Sequence, residues 1–221
     1  MLKAGTAEFS YDLTLTPAKP PVLHGRAGYS LKGSSPQRAS CYYSYTRLEV
    51  DGHLTIGGKT FAVSGQGWMD HEFSTAMLEP GIKGWDWFSL QLSDRTEIMV
   101  FLLRTDEGGI SAVSSGTFVD PEGKTRTIGK DDFAVTILDT WQSPHSKAVY
   151  PSRWRLRVFP FALDLTISAN LADQEMRTSE STGVTYWEGS VSIRGTRDAN
   201  PINGQGYVEL TGYAESFDIP M

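Results

Sequence analysis

The sequence has 221 residues, of which 39% are apolar and 21% are charged, a composition typical of a globular protein rather than a disordered one. The 20 basic residues are outnumbered by 26 acidic ones, and the resulting net charge of −6 disfavours a nucleic-acid-binding surface. A single cysteine excludes an internal disulfide framework and a Cys-rich metal site. No apolar run approaches the ~20 residues of a membrane-spanning helix, so no transmembrane segment is predicted, and no signal-peptide pattern is visible.

Short segments of alternating apolar and polar residues, separated by turns rich in Gly and Pro, follow one another along the chain. In segment 9–15, Phe, Tyr and Leu alternate with Ser, Asp and Thr, as in a strand buried on one face. Asp51 and Gly52 separate two strand-like runs, which predicts a hairpin turn at that point. Further strand-like runs follow at 60–63, 85–92, 96–104, 132–141, 153–159, 162–170, 184–194 and 205–213. About a dozen short strands without a helical period predict an all-β sandwich or barrel, with under roughly a tenth of the residues in helix.

Two of these runs indicate which faces of the strands are covered. Segment 98–103 is apolar at six consecutive positions, which predicts a strand covered on both faces. In the last run, Tyr207 and Glu209 share one face, and Val208 and Leu210 share the other. Aromatic rings and carboxylates inside a barrel would line a ligand cavity rather than fill a core, so we expect a barrel interior of that kind.

The densest set of chemically useful side chains lies in segment 65–73. If this segment is extended, Trp68, Asp70 and Glu72 share one face, and His71 lies on the other. A carboxyl group among aromatic rings in an apolar cavity has a raised pKa and can act as a general acid near neutral pH. The alternative is structural, since carboxylates also accept hydrogen bonds from Trp indoles and turn amides at a sheet corner.

Other chemistries have weaker support in the sequence. His71 and its acidic neighbours have suitable ligand atoms for a metal, but adjacent strand residues diverge, and the other histidines lack metal-binding spacing. There is no G-x-S-x-G motif, and Cys41 lies in a tyrosine-rich segment where a buried structural thiol is expected. We therefore predict no metal, no cofactor and no nucleophilic catalysis.

Several motifs, in their order and spacing, resemble the lipocalin-like family that contains AttH-type proteins and hydroxyneurosporene synthase, the carotenoid 1,2-hydratase. The motifs lie at 23–25, 28–30, 39–44, 67–72, 84–92, 150–154, 186–189 and 206–213 and cover nearly the whole chain. The resemblance implies two packed lipocalin-like β-barrel domains: residues 1–80 correspond to the C-terminal part of the first, and 81–221 to the second. It also implies that the N-terminal part of the first barrel is absent. An open sheet edge invites a partner strand, which allows a homodimer.

The activities of this family are diverse. One branch hydrates an isolated carbon–carbon double bond of a carotenoid by acid catalysis, and related fungal proteins hydrate a prenylated flavonoid or guide cycloadditions. The hydratase's Gly-x-Gly-aromatic-x-Asp motif matches Gly65, Gly67, Trp68 and Asp70 here, with Trp68 in place of the family's Tyr. The resemblance therefore implies that Asp70 is an acid acting on a hydrophobic, isoprenoid-like or polyketide-like small molecule without a cofactor.

The predicted site joins the acid to a second carboxyl group and an aromatic wall. Its members are Asp70 and Glu72 as catalytic residues, and Trp68, Trp85, Trp87, Tyr43 and Tyr45 as substrate-binding residues. Family members are often exported or periplasmic, whereas the sequence itself leaves the compartment open.

Three functions remain compatible with the sequence. The first is a cofactor-free enzyme of the hydratase or cyclase type. The second is a non-catalytic carrier of a hydrophobic ligand that serves an export system, and the third is a structural module with a filled cavity. The environment of Asp70 distinguishes them, because only the enzyme needs an acid facing an aromatic cavity.

Overall fold

The computed structural model describes residues 1–75, 78–181 and 183–214 of the chain. It is 64% strand, and the helical residues within those ranges form only two 3₁₀ turns, Lys130–Asp132 and Phe159–Phe161. The predicted all-β fold is thus confirmed. Within the same ranges, no helix has the length and apolar character needed to cross a membrane.

Six strands form the first antiparallel sheet. They are β1 (Leu2–Gly5), β2 (Phe9–Pro17), β3 (Val22–Leu23), β4 (Tyr29–Leu31), β5 (Ala39–Ile56) and β6 (Lys59–Phe73). The long β5 is its centre: β6 pairs with one side of it, and β2, β3 and β4 pair in turn with the other. All strands of this sheet therefore depend on β5 for their positions.

Ten strands form the second antiparallel sheet. They are β7 (Ile82–Leu92), β8 (Glu97–Thr105), β9 (Ser115–Val119), β10 (Thr125–Ile128), β11 (Phe133–Gln142), β12 (Val149–Val158), β13 (Leu163–Ala169), β14 (Glu175–Arg177), β15 (Thr185–Arg197) and β16 (Asn200–Leu210). The spatial order is β10-β9-β8-β7-β16-β15-β13-β12-β11, and β14 pairs with β15. The first sheet uses residues 2–73 and the second uses 82–210; that 1–80 and 81–221 are separate domains stays a prediction.

The second sheet encloses one apolar core, to which every strand of its main path contributes side chains. Trp154 and Trp187 are its largest members, and both are almost fully buried. Val208 and Leu210 of β16 also point into this core, whereas Tyr207 and Glu209 lie on the outer face. The expected ligand cavity inside the barrel is therefore corrected: apolar side chains fill the interior, and the polar face of β16 points outward.

Strand β8 is covered on both faces, as its apolar sequence predicts. Ile98 and Val100 join the core of the second sheet. Met99 and Phe101, on the other face, pack in a second cluster together with Tyr42 of the first sheet. All residues from Glu97 to Leu103 are buried because β8 lies between the barrel core and the first sheet.

A buried ionic cluster fixes the two sheets together. Lys19 Nζ lies 2.7 Å from Oε2 of Glu97, and Arg47 Nε lies 2.6 Å from Oε1 of the same residue. Arg47 also donates to the Gln66 side chain at 3.1 Å and to the Leu92 carbonyl at 3.1 Å. A β-bulge between Tyr45 and Leu48 places Arg47 in β5 where it can reach Glu97. Through Gln66, the cluster also connects β6 to the second sheet.

The predicted turn at Asp51 and Gly52 is wrong. Strand β5 continues through both residues, and the chain reverses at Gly57 and Gly58, whose φ angles are +55° and +78°. Gly52 lies opposite Leu13, and a Cβ atom there would stand 2.1 Å from the Asp12 carbonyl oxygen. Close approach of β2, rather than a turn, therefore accounts for this glycine.

The outer face of the first sheet carries many exposed apolar side chains. Phe61, Ile56 and Phe73 are 49%, 57% and 58% exposed, respectively. Within the described residues, β6 pairs only with β5, so the other edge of β6 has no partner strand. This face and edge together form an exposed apolar surface.

Candidate active site

Strand β6 presents one face to the second sheet. Trp68 and Asp70 on this face line a cleft, and Glu72 follows on the same side of the strand. His71 lies on the opposite face, where its ring stacks on Tyr43 with the centroids 5.1 Å apart. This is the alternation that the sequence predicts for segment 65–73.

The cleft has a volume of about 480 Å³ and lies between β6 and the outer face of β7, β15 and β16. Its lining consists of Gln66, Gly67, Trp68, Asp70, Trp87, Ser89, Gln91, Glu188, Ser190, Gln205, Gly206, Tyr207 and Glu209. Three of these described residues are carboxylic acids, three are aromatic, and none is Lys or Arg. The cleft is therefore aromatic and acidic, with amide and hydroxyl groups beside the rings.

Hydrogen-bond donors surround the carboxyl group of Asp70. The hydroxyl of Ser44 and the indole Nε1 of Trp68 both donate to Oδ1, the latter at 2.8 Å. The Tyr42 hydroxyl also hydrogen-bonds to Asp70, and it accepts a hydrogen bond from Trp87 Nε1 at 3.1 Å. Aromatic groups from both sheets thus hold this acid in place.

The pKa of Asp70 is raised above the ordinary value of an aspartate. Loss of hydration among the surrounding protein atoms is the largest cause, and the charge of Glu72 adds to it. The hydrogen bonds from Ser44, Trp68 and Tyr42 oppose the shift because they stabilise the carboxylate. Asp70 is not sealed from water, since the residue as a whole remains exposed to the cleft. Its proton is therefore both retained to higher pH and accessible.

Glu72, the second predicted catalytic residue, has partners of its own. Lys32 Nζ lies 2.9 Å from its Oε1, and the Ser40 hydroxyl donates to the same oxygen. Glu72 is not among the residues that line the cleft. It acts on Asp70 through its charge, and its catalytic role stays a prediction.

The two tryptophans of β7 occupy different positions. Trp87 lines the cleft, and its ring meets that of Trp68 edge to face with the centroids 6.3 Å apart. Trp85 packs in the apolar cluster between the sheets, and its Nε1 donates to Oε1 of Glu209 at 3.2 Å. Trp85 therefore affects the cleft through its hydrogen bond to Glu209, and its ring does not line the cleft.

Glu209 is a candidate site residue that sequence reasoning missed. It lies on the wall of the cleft formed by the second sheet, and its pKa is raised to about 7. Loss of hydration is the largest cause, followed by repulsion from Glu188, with smaller contributions from Asp70 and Glu72. The pKa of Glu188 is raised too, by loss of hydration. The alternation along β16 predicts which residues share a face with Glu209, but it does not show that this face points outward.

Tyr43 and Tyr45 do not lie on the site face, which corrects their predicted position. They meet edge to face on the opposite side of the sheet, and neither lines the cleft. Because side chains alternate along β5, the face directed at Asp70 carries Tyr42 and Ser44 instead. Cys41 shares the outer face with Tyr43 and is exposed, so the expected buried thiol is also wrong.

The described acidic residues do not form a metal site. In residues 1–75, 78–181 and 183–214, no group of three His, Cys, Asp or Glu side chains is close enough to hold an ion.

Comparison with known proteins assigns the family. The profile of the AttH-like family matches residues 1–213. The chain belongs to the AttH-like family. A crystal structure described as AttH from Nitrosomonas europaea has a TM-score of 0.87 and 35% sequence identity to this AttH-like chain; the match covers 96% of this chain and 64% of that one. Among curated proteins, the comparison finds no match.

A second structure extends the likeness to an enzyme. Kievitone hydratase from Nectria haematococca has a TM-score of 0.78 and 21% identity, with the same coverage of 96% of this chain and 64% of that chain. At this identity the likeness shows the lipocalin-like fold alone. The AttH-like chain thus spans less than two thirds of the length of either structure.

Proposed function

We propose that this AttH-like chain is a cofactor-independent enzyme that acts by acid catalysis, through hydration or cyclisation, on a hydrophobic small molecule. The supporting observation is the position of Asp70: a carboxyl group with a raised pKa in an aromatic cleft. The substrate class is isoprenoid-like or polyketide-like, with polar groups that can meet the amides and hydroxyls of the lining. The enzyme class follows the resemblance to a hydratase family.

In the first step, neutral Asp70 donates its proton to one carbon of an alkene, and the other carbon becomes a cation. The ring faces of Trp68 and Trp87 attract that cation electrostatically. The three carboxyl groups of the cleft add negative potential, and no described lining residue adds positive charge. The cleft is thus complementary to a cationic intermediate, which is the state that catalysis must stabilise.

In the second step, water or an internal alkene captures the cation. For hydration, the oxygen of water forms a bond to the cationic carbon, and the ionised form of Glu209 accepts the released proton. A group with a pKa of about 7 is suited to this role, since both of its forms are populated near neutral pH. Return of the proton from Glu209 to Asp70 through cleft water resets the enzyme, and the net change is addition of one water. For cyclisation, capture by the internal alkene ends with loss of a proton to the same carboxylate.

The test is turnover in heavy water, with kievitone as the first probe and linear isoprenoid alkenes as the second. Hydration yields a product heavier by one water, with deuterium on the protonated carbon. We expect Asp70→Asn to lower the rate by about 10²–10⁴-fold, because it keeps the shape and removes the acid. Asp12→Asn, which changes an exposed carboxylate paired with Lys3 in the first sheet, should retain the wild-type rate.

The alternative is a carrier of a hydrophobic ligand associated with an export system. A carrier would quench tryptophan fluorescence on ligand binding and return the ligand unchanged and without deuterium. Binding of that kind, equal in wild type and Asp70→Asn, would exclude the enzyme and support the carrier.

A further inference from the structure

Three buried groups lead from the second sheet to the carboxyl group of Asp70. Thr117 Oγ1 lies 2.9 Å from Nδ1 of His24, and His24 Nε2 lies 2.7 Å from Oγ of Ser44. The Ser44 hydroxyl donates to Oδ1 of Asp70. Thr117, His24 and Ser44 are each at most 2% exposed, so water does not compete for these hydrogen bonds. This series of hydrogen bonds begins at Thr117 in β9 and passes through His24, which follows β3. It then continues through Ser44 in β5 to Asp70 in β6.

The charge state of His24 follows from its burial. Loss of hydration, and then the charge of Lys32, lower the pKa of His24 to about 3. The ring also lies against that of Tyr42, with the centroids 4.2 Å apart. Near neutral pH the imidazole is therefore uncharged and carries a single N–H.

Counting hydrogens then fixes the tautomer. The single hydrogen of the Ser44 hydroxyl is directed to Asp70, so Ser44 Oγ must accept the bond that joins it to His24. His24 is therefore protonated on Nε2, and its Nδ1 accepts from the hydroxyl of Thr117. Each of the three hydrogen bonds in this series is therefore donated in the direction of Asp70.

The same counting identifies the oxygen that bears the acidic proton. Oδ1 of Asp70 already accepts from Ser44 and from Trp68, and an oxygen with two donors directed at it is a poor place for a further hydrogen. The Tyr42 hydroxyl adds at most one donor to Oδ2, so Oδ2 has fewer donors than Oδ1 in either case. We infer that Ser44 and His24 are positioning residues that keep Oδ1 as an acceptor and confine the proton of Asp70 to Oδ2. This inference rests on the proposed role of Asp70 as the acid, and it adds the atom from which the proton leaves.

The hydrogen-bonded series Thr117–His24–Ser44, called the relay below, has a specific advantage because it is uncharged. A cationic imidazole two hydrogen bonds from Asp70 would favour the carboxylate and discourage proton retention. The titratable groups on the opposite wall of the cleft are instead Glu188, Tyr207 and Glu209. Glu72 on β6 and Tyr42 on β5 lie beside Asp70, and the nearby Lys32 is paired with Glu72. A buried neutral histidine orients the carboxyl group without adding positive charge.

The experiment is an NMR measurement on the substrate-free protein. Nitrogen-15 shifts should show His24 as the Nε2–H tautomer, unchanged between pH 5 and pH 9. Carbon-13 titration of the Asp70 carboxyl should show its pKa higher by about one pH unit in Ser44→Ala, because a donor to the carboxylate is lost. Ser40→Ala is the matched control, since its hydroxyl lies on the same face of β5 and donates to Glu72. It should leave the pKa of Asp70 nearly unchanged.

Two results would overturn the inference. The Nδ1–H tautomer in the wild type would mean that Ser44 donates to His24 and not to Asp70, a result independent of whether any variant folds. An unchanged pKa of Asp70 in a folded Ser44→Ala protein would show that the hydroxyl does not bind the carboxylate. Neither measurement needs a substrate. A failure to find turnover would therefore count against the proposed function, but it would not contradict the hydrogen bonds of the relay. With a substrate in hand, Ser44→Ala should shift the basic limb of the rate profile upward by the same interval as the pKa.

Discussion

The indole of Trp85 donates a hydrogen bond to Glu209 at 3.2 Å, and this pair lies across the cleft from the Trp68–Asp70 pair, in which the same kind of bond measures 2.8 Å. Each sheet therefore contributes one carboxyl group held by one indole N–H. An indole donor fixes a carboxyl oxygen without the charge of Lys or Arg, so both acids keep raised pKa values. With two such acids in one cleft, one can donate a proton to the substrate and the other can accept a proton from water.

Replacing Glu209 by Gln should change how stability depends on pH. The pKa of Glu209 is about 7 in the folded protein and near 4.5 when unfolded, so the folded state binds more protons between these values. The free energy of unfolding of the wild type should therefore fall as pH rises from 4.5 to 7. Glu209→Gln should lack this contribution to the fall. At pH 8 the variant should be more stable by roughly 1–3 kcal/mol, measured by urea denaturation at pH 5 and pH 8. Glu107→Gln, on an exposed turn, should follow the wild type at both pH values. Parallel pH curves for wild type and Glu209→Gln would contradict the raised pKa.

Replacing Glu97 by Gln should destabilise the joint between the two sheets. The side chains of Lys19 and Arg47 are 2% and 5% exposed, and both depend on this fully buried carboxylate. Removing its charge leaves two buried cations without compensation, which typically costs about 3–5 kcal/mol. Urea denaturation would measure the loss, and tryptophan fluorescence of the folded variant would report whether the cleft has opened. Asp164→Asn, which breaks an exposed pair with Arg155, should cost less than about 1 kcal/mol. A loss that small for Glu97→Gln would show that the cluster is not needed to join the sheets.

The apolar outer face of the first sheet should promote self-association. Ile56 and Phe61 are about half exposed, and the adjacent edge of β6 has no partner strand among the described residues. Such surfaces favour pairing with a second copy. Sedimentation velocity at tens of micromolar should therefore show dimers, and Ile56→Lys with Phe61→Lys should shift the chain toward monomer. A wild-type protein that sediments as a monomer at this concentration would reject the homodimer.

Much of the fold and part of the site were predictable from local pattern. The period of two in segment 65–73 correctly separated Trp68 and Asp70 from His71, because a strand must alternate its faces. The turn at Asp51 and Gly52 failed because a neighbouring strand, invisible in local sequence, needs the space of a side chain.

The rest of the site depends on contacts between distant segments. His24 lies 20 residues from Ser44 and 93 from Thr117, so no spacing rule connects them. Alternation predicts that Tyr207 and Glu209 share one face of β16, but it does not say whether that face is inside or outside the barrel. Tyr43 and Tyr45 lie one residue from the site-facing positions Tyr42 and Ser44, and a shift of one residue along a strand reverses the face.

Two substitutions of Trp68 should separate its hydrogen bond from its ring face. Trp68→Phe keeps an aromatic face toward the cleft and removes the N–H that binds Oδ1 of Asp70. Loss of that donor should raise the pKa of Asp70, so the basic limb of the rate profile should move to higher pH while the maximal rate stays within about tenfold of the wild type. Trp68→Ala removes the face as well, and loss of about 1–2 kcal/mol of cation stabilisation should lower the maximal rate by a further factor of roughly 5–30. Steady-state rates across pH, measured on whichever probe shows turnover, give both quantities. Equal maximal rates in the Phe and Ala variants would exclude stabilisation of a cation by the ring, and an unmoved basic limb in both would exclude Asp70 as the group whose ionisation limits the rate.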